Sequence, residues 1–509
     1  MRKYLIFFLW TVNIVLRFWG IWFPQEGFDE GQNLQGAQLI TKLFSGEFTP
    51  QIVTIYGFLG KVLSFIPYHV GNWLESYLPY SSDIPLGLVC MRMAISFLPN
   101  VFTIYMSLKL VKSLINHPSA PIITLCFYLL AFKHIETAHY AVNDSLCTFL
   151  AVWCMQQFIR YRETQQAKHL SYAGILAAFA SAAKIHVGLL LGASIGLSFL
   201  VDLYLQNFRK TAVLANFRFI LRFGLAFTLT FLVINLPYII HLRLWVGEVL
   251  YHIRSYPFYY KGGLLTYFYF NPPYGIGVPT LVLAFIAIII VLIKKEARKW
   301  ETVMAFTALF IFFLASSRGA IHRWAIPLTP FLILLATKTG VAWIDWGTKK
   351  VGQVYSYLLS LLLIIGIGFL PFTHALKLAD NLAQSPNTYD ALNDFMKDIP
   401  RSSCAGRYYE TAKLAFELAP LTEVSKEALD RNKINYVIFS DFYFPKDKPF
   451  EIGFSHIAKQ LQLHEWYALR EYIEREWELH QVISPKYYTP WSTNIGNPPP
   501  FYIYKRPSH

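Results

Sequence analysis

Long apolar runs separated by short polar breaks fill the first 371 residues, and the remainder of the chain is polar. A helix needs about 20 apolar residues to cross the hydrocarbon of a bilayer. The run 4–23 meets that length. Further runs lie near 86–110, 121–135, 142–160, 171–185, 187–205, 219–240, 278–293, 301–316, 324–339 and 353–371, so the pattern predicts about eleven spans. Met1-Arg2-Lys3 precedes the first run. That run is long for a signal peptide and ends in Phe-Trp-Gly-Ile-Trp-Phe-Pro instead of small residues, which predicts an uncleaved helix.

Three polar segments are substantial. Segment 24–85 contains two half-apolar stretches. In 33–45, Leu34, Ala37, Ile40, Leu43 and Phe44 approximate one helical face, and 52–66 is similar. Both suit helices lying in the membrane interface. Segment 241–277 is rich in Tyr and Pro. The tail, 372–509, reads as a small α/β domain: a helix over 388–398 ended by Pro400, a β-rich run at 436–440, helical spacing over 457–479 and a last strand at 498–504. The chain thus divides into a transmembrane domain, 1–371, and a C-terminal domain, 372–509.

Composition agrees with this division. Of 509 residues 55% are hydrophobic and only 15% charged, against about 25% in soluble domains. Mean hydropathy is +0.37. A soluble globule cannot hide that much apolar surface, and a disordered chain does not contain it. The fold class is therefore a polytopic α-helical membrane protein.

Net charge is +14, but its distribution argues for topology and not for nucleic acid. Arg2, Lys3, Lys109, Lys112, Arg160, Arg162, Lys168, Arg209, Lys210, Arg218, Arg222, Lys294, Lys295, Arg298, Lys299, Lys338, Lys349 and Lys350 fall on one side if the N-terminus is cytoplasmic. The longer segments on the other side carry fewer. An odd number of spans then places the tail on the extracytoplasmic side of the cell membrane, whose lipids surround the spans. There is no zinc-finger spacing or Walker loop, and the five cysteines form no CxxC pair.

Two places combine acids with the outer membrane surface. Phe28-Asp29-Glu30-Gly31 begins shortly after the first run, and Asp144 stands at the entrance of the run 142–160. From position alone, a solvated loop or a helix N-cap accounts for these acids better than chemistry does. His134, Glu136 and His139 lack HExxH spacing and read as a hydrated interfacial cluster, so no metal is assigned and no cofactor is indicated. Arg17, Arg92 and Lys184 lie in or beside apolar runs, where snorkelling explains them. His322 and Arg323 belong to a compact basic loop. With Arg243, Arg254 and Lys261 they form either an anion-binding outer face for phosphate headgroups or a set of separate solvated charges.

In sequence order these residues resemble the membrane glycosyltransferases of the GT-C fold, which use polyprenyl-phosphate sugars. Protein O-mannosyltransferases and lipid A aminoarabinose transferases belong to that group. The resemblance rests on Leu16-Arg17-Phe18, Phe28-Asp29-Glu30 with the stretch after it, Met91-Arg92-Met93, His139 to Asp144, Gly174 with Lys184, and His322-Arg323-Trp324 before Pro327 and Pro330. The helix ending at Ile399-Pro400 and the strand Phe501-Tyr502-Ile503-Tyr504 extend it to the tail. One departure is Thr49-Pro50-Gln51-Ile52, where many members carry Pro-Pro.

The resemblance implies an inverting transfer from a lipid-phosphate sugar (hexosyl or pentosyl) to an acceptor hydroxyl. It implies Asp29 as general base, with Glu30 supporting it or binding acceptor, and Asp144 positioning the acceptor or shaping the surroundings of Asp29. Arg254, Lys261, His322 and Arg323, with Lys184 and His139, are the implied substrate-binding groups. A secondary transporter or flippase for a lipid-linked or anionic substrate is the alternative, and a noncatalytic lipid-binding scaffold a third. A transporter predicts inverted repeats, and the sequence contains none that we detect.

Overall fold

The computed structural model describes residues 2–22, 28–45, 47, 58–80, 85–255, 278–316, 322–352, 373, 376, 377, 380, 388–397, 399, 403–406, 425–440, 463–484 and 501–507. The predicted span 353–371 lies outside the described residues.

The first apolar run forms α1 (Arg2–Phe18). Two juxtamembrane helices follow, α2 (Phe28–Phe44) and α3 (Phe58–Glu75). The second covers the described part of the apolar stretch 52–66 and continues through Pro67. Its apolar residues Val62, Leu63, Ile66, Val70 and Trp73 are exposed. Its line of small and polar residues, Lys61, Ser64 and Gly71, is buried. The greasy stripe therefore faces outward, as an interfacial helix requires.

Helix α4 (Leu86–Leu114) contains one π turn at Met93–Phe97. The run predicted as one span at 121–135 is instead two helices, α5 (Ala120–Leu130) and a short α6 (Phe132–Glu136) continued by a 3₁₀ turn to His139. They bend by 75° at Ala131. Then come α7 (Asn143–Thr164), α8 (Ala167–Ala183), α9 (Ile185–Leu205) and α10 (Lys210–Ile234). Part of the Tyr- and Pro-rich segment is helical, α11 (Leu242–Ser255). The body closes with α12 (Val278–Ile293), α13 (Ala297–Ser316), a 3₁₀ segment (His322–Leu328) and α14 (Thr329–Val351). By length and composition, four helices among the described residues can cross a membrane, and five if the bent pair is one span.

Helix α8 sits at the centre of the packing, against α7, α9 and α10. Small residues let the backbones approach closely. A Cβ on Gly174 would stand 2.6 Å from the Phe223 carbonyl of α10, and one on Gly188 of α9 would stand 2.1 Å from the Ala177 carbonyl of α8.

The described part of the tail is a four-stranded sheet of β1 (Cys404–Gly406), β2 (Tyr436–Ser440), β3 (Glu478–Ile483) and β4 (Phe501–Lys505), in the order β1-β2-β4-β3. β1 and β2 are parallel, and the other pairs are antiparallel. Leu392 and Met396 of α15 (Thr388–Met396) pack with Ile438, Ile483 and Ile503. Arg470 of α17 (Leu463–Glu476), which follows the short α16 (Lys426–Arg431), lies 5.5 Å from the rings of both Phe439 and Tyr502. Alternate residues of the strands thus meet different layers, as the period of two requires. The helix predicted over 457–479 ends at Glu476, because β3 pairs with β4 from Glu478.

Candidate active site at the entrance of α7

Helix α2 is fastened by its third residue. Glu30 accepts two hydrogen bonds from Arg92 of α4, at 2.8 and 2.9 Å, and a third from the Ala141 amide at 2.8 Å. Glu30 and Arg92 are both 0% exposed. Snorkelling is thereby corrected for Arg92, and equally for Arg17, which is also 0% exposed. The cause is the same in both: bonds to buried partners replace water.

One turn along α2, Asn33 donates to the Ala141 carbonyl at 2.7 Å and to Asn143 Oδ1 at 3.2 Å. Gly60 of α3 closes on the same amide, since a Cβ there would lie 1.9 Å from Asn143 Oδ1. Both juxtamembrane helices are therefore docked on the residues that open α7.

Asp144 stands in this first turn, 2% exposed. Its carboxylate does not serve as an N-cap. It is paired with the Lys184 ammonium from the break between α8 and α9. Lys184 thus points inward to a carboxylate and does not snorkel. His134, Glu136 and His139 are buried, where an interfacial cluster would be exposed. The ring nitrogens of His139 lie 3.0 and 2.9 Å from the Ile135 and Trp19 carbonyls. That makes His139 a brace between the 3₁₀ turn and the end of α1.

Asp29 precedes Glu30 on α2, and its side chain lies outside the described residues. Arg254 falls in the last turn of α11, and His322 and Arg323 open the 3₁₀ segment that packs on α7. The side chains of all three lie outside the described residues, as does Lys261 entirely.

The sequence reading did not single out Lys61. It is buried on α3, and its ammonium donates to the Tyr238 hydroxyl at 3.1 Å. The available signal was a lysine aligned with Ser64 and Gly71 at helical spacing, opposite the apolar stripe.

Known structures share this arrangement of helices. The oligosaccharyltransferase of Archaeoglobus fulgidus, in a complex with Zn and sulfate, matches over 95% of this chain and 72% of its own, at 10% identity and a TM-score of 0.55. Its apo form matches over 87% and 70%, at 11% identity and a TM-score of 0.53. The fold is the GT-C fold. ArnT from Cupriavidus metallidurans bound to undecaprenyl phosphate also matches, over 97% of each chain, at 13% identity and a TM-score of 0.49. No family model and no curated protein sequence matches the chain. On the GT-C fold, the entrance of α7 pairs the buried Asp144 carboxylate with the half-buried Lys184 ammonium beside the docked juxtamembrane helices, one of which, α3, buries Lys61. Such a site can hold an anion beside a proton acceptor.

Proposed function

We propose that the protein is an inverting glycosyltransferase that moves a sugar from a polyprenyl-phosphate donor to an acceptor hydroxyl on the extracytoplasmic face of the membrane. One observation carries the reading: Glu30 bonds both Arg92 and the Ala141 amide, which holds the helix bearing Asp29 beside the Asp144–Lys184 pair.

The chemistry follows from the donor. A lipid phosphate is already a good leaving group, so one base and some cations suffice. Asp29 takes the proton of the acceptor hydroxyl. The acceptor oxygen bonds to the anomeric carbon as the bond from that carbon to the phosphate oxygen breaks, and the electron pair leaves with the polyprenyl phosphate. Attack opposite the leaving group inverts the anomeric configuration. Lys184 and Lys61 face the departing phosphate, with Arg254, Lys261, His322 and Arg323 as further cations of the same surface. Asp144 aims the Lys184 ammonium. Glu30 holds α2 in place, and His139 holds the 3₁₀ turn against the end of α1. In this reading the N-terminus is cytoplasmic and the tail, beside the acceptor, is extracytoplasmic.

The test is a transfer assay with a panel of polyprenyl-phosphate sugars and mass analysis of the product. Asp29→Asn should stay folded and transfer nothing. Full transfer by that variant, or no transfer by the unaltered protein with any donor, removes the proposal.

A further inference from the structure

Arg17 belongs to α1, which supplies no group to the proposed chemistry, yet it is one of the most deliberately placed charges in the molecule. Its guanidinium has five N–H donors, and all five are taken. Nε donates to Asn100 Oδ1 at 2.7 Å. One terminal nitrogen donates to the Asn13 carbonyl at 3.0 Å and to its Oδ1 at 2.9 Å. The other donates to the Tyr128 carbonyl at 3.1 Å and to His134 Nδ1 at 3.2 Å. None of these acceptors is a carboxylate. A buried cation without a counter-charge is costly at membrane depth, and an apolar residue of similar size would fill the space without that cost. Stability alone therefore does not account for Arg17.

Its partners do. Tyr128 lies in the last turn of α5, where carbonyls lose their helical donors. His134 lies on α6, across the 75° bend at Ala131. Arg17 grips both sides of the break. Because arginine only donates, His134 Nδ1 accepts and the ring carries its proton on Nε2. The grip is then passed on. Asn100 Nδ2 donates to the His134 carbonyl at 2.8 Å and to Ser145 Oγ at 3.3 Å. Ser145 follows Asp144 and donates to the Thr137 carbonyl at 3.2 Å. A continuous set of bonds runs from α1 to the residue beside the candidate site.

We infer that Arg17 is a positioning residue for the transfer. It replaces the interrupted backbone ladder at Ala131 and, through Asn100, fixes segment 132–145 and so Asp144. The inference rests on the preceding reading that Asp144 belongs to the site. Lysine cannot do the same work, since three donors on one nitrogen do not span acceptors set around a planar fork.

Two variants test it, each purified in lipid nanodiscs. Arg17→Lys keeps the charge and loses the fork. Asn100→Asp keeps an acceptor for Arg17 and adds a counter-charge, but removes the donor to His134 and Ser145. Hydrogen exchange should quicken in 132–145 and stay unchanged in α8 and α9. In the transfer assay kcat per folded molecule should fall about 100-fold, the scale of an ångström-sized misplacement, with KM for the donor unchanged. A merely structural role would lower the folded yield without separating kcat from KM. Wild-type kcat in either folded variant overturns the inference, and Asn100→Asp decides alone if Arg17→Lys does not fold. If the unaltered protein transfers no sugar, the functional reading fails separately. Exchange then decides whether Arg17 fastens the segment: quickening confined to 132–145 supports it, and unchanged exchange overturns it.

Discussion

Glu30 and Arg92 meet through two hydrogen bonds, 2.8 and 2.9 Å long, with neither side chain exposed. The planar fork of the guanidinium matches the two carboxylate oxygens, and the Ala141 amide satisfies a further lone pair. Removing one partner leaves a bare charge in a dry place. Glu30→Gln and Arg92→Gln should each lose about 3–5 kcal/mol of stability. The double variant should lose less than the sum, because the two effects share one interaction. Thermal unfolding followed by tryptophan fluorescence measures this, and simple additivity would refute the pairing.

The Asp144–Lys184 pair separates stability from chemistry. Lys184→Met should destabilise the protein and lower transfer about 10²–10³-fold, as loss of one charge-stabilising donor does. Asp144→Asn combined with Lys184→Met removes both charges, so unfolding should return toward the wild-type temperature while transfer stays low. Recovery of transfer in the double variant would contradict the assignment of Lys184 to the phosphate.

Docking of α3 depends on a missing side chain. Gly60→Ala would drive a methyl into Asn143, whose Oδ1 would lie 1.9 Å away. A loss of about 1–3 kcal/mol is expected from overpacking, together with weaker transfer. Gly196→Ala is the control, since nothing lies within 4 Å of a Cβ there. Alanine favours the helix at that position by up to about 1 kcal/mol. Equal effects of the two substitutions in calorimetry would show that the contact is unimportant.

In the tail, Cys404 is buried in β1, and burial pushes its thiol pKa up. A raised pKa favours the neutral thiol, so less thiolate exists at any given pH and the reactive form appears only at higher pH. Native protein at pH 8 should leave Cys404 unmodified by iodoacetamide, and denatured protein should be alkylated there. Peptide mass mapping distinguishes the two, and rapid native labelling would count against this packing.

Much of the architecture was legible from residue order. Apolar length alone located helices near 86–110, 142–160, 187–205 and 278–293, because the bilayer sets a length that sequence can be measured against. The tail strands at 436–440 and near the C-terminus were legible from their β-branched and aromatic content. Strand β3 was not, since helical spacing runs up to it and only pairing with β4 extends the chain from Glu478. Nor was the bend at Ala131, which interrupts an apolar run without a proline or glycine.

The sequence by itself determined the class of protein, the approximate position of its helices and the presence of ionisable residues at the outer ends of apolar runs. These are local properties, fixed by hydropathy over one or two dozen residues. Tertiary structure alone decided what the charges do. Glu30 finds Arg92 across 62 residues, Asp144 finds Lys184 across 40, and Arg17 reaches Asn100 across 83. Each, read in isolation, is best explained by water or the membrane surface. Removal of that water by packing makes partners obligatory, and which partner is near is a property of the folded chain that no short window contains.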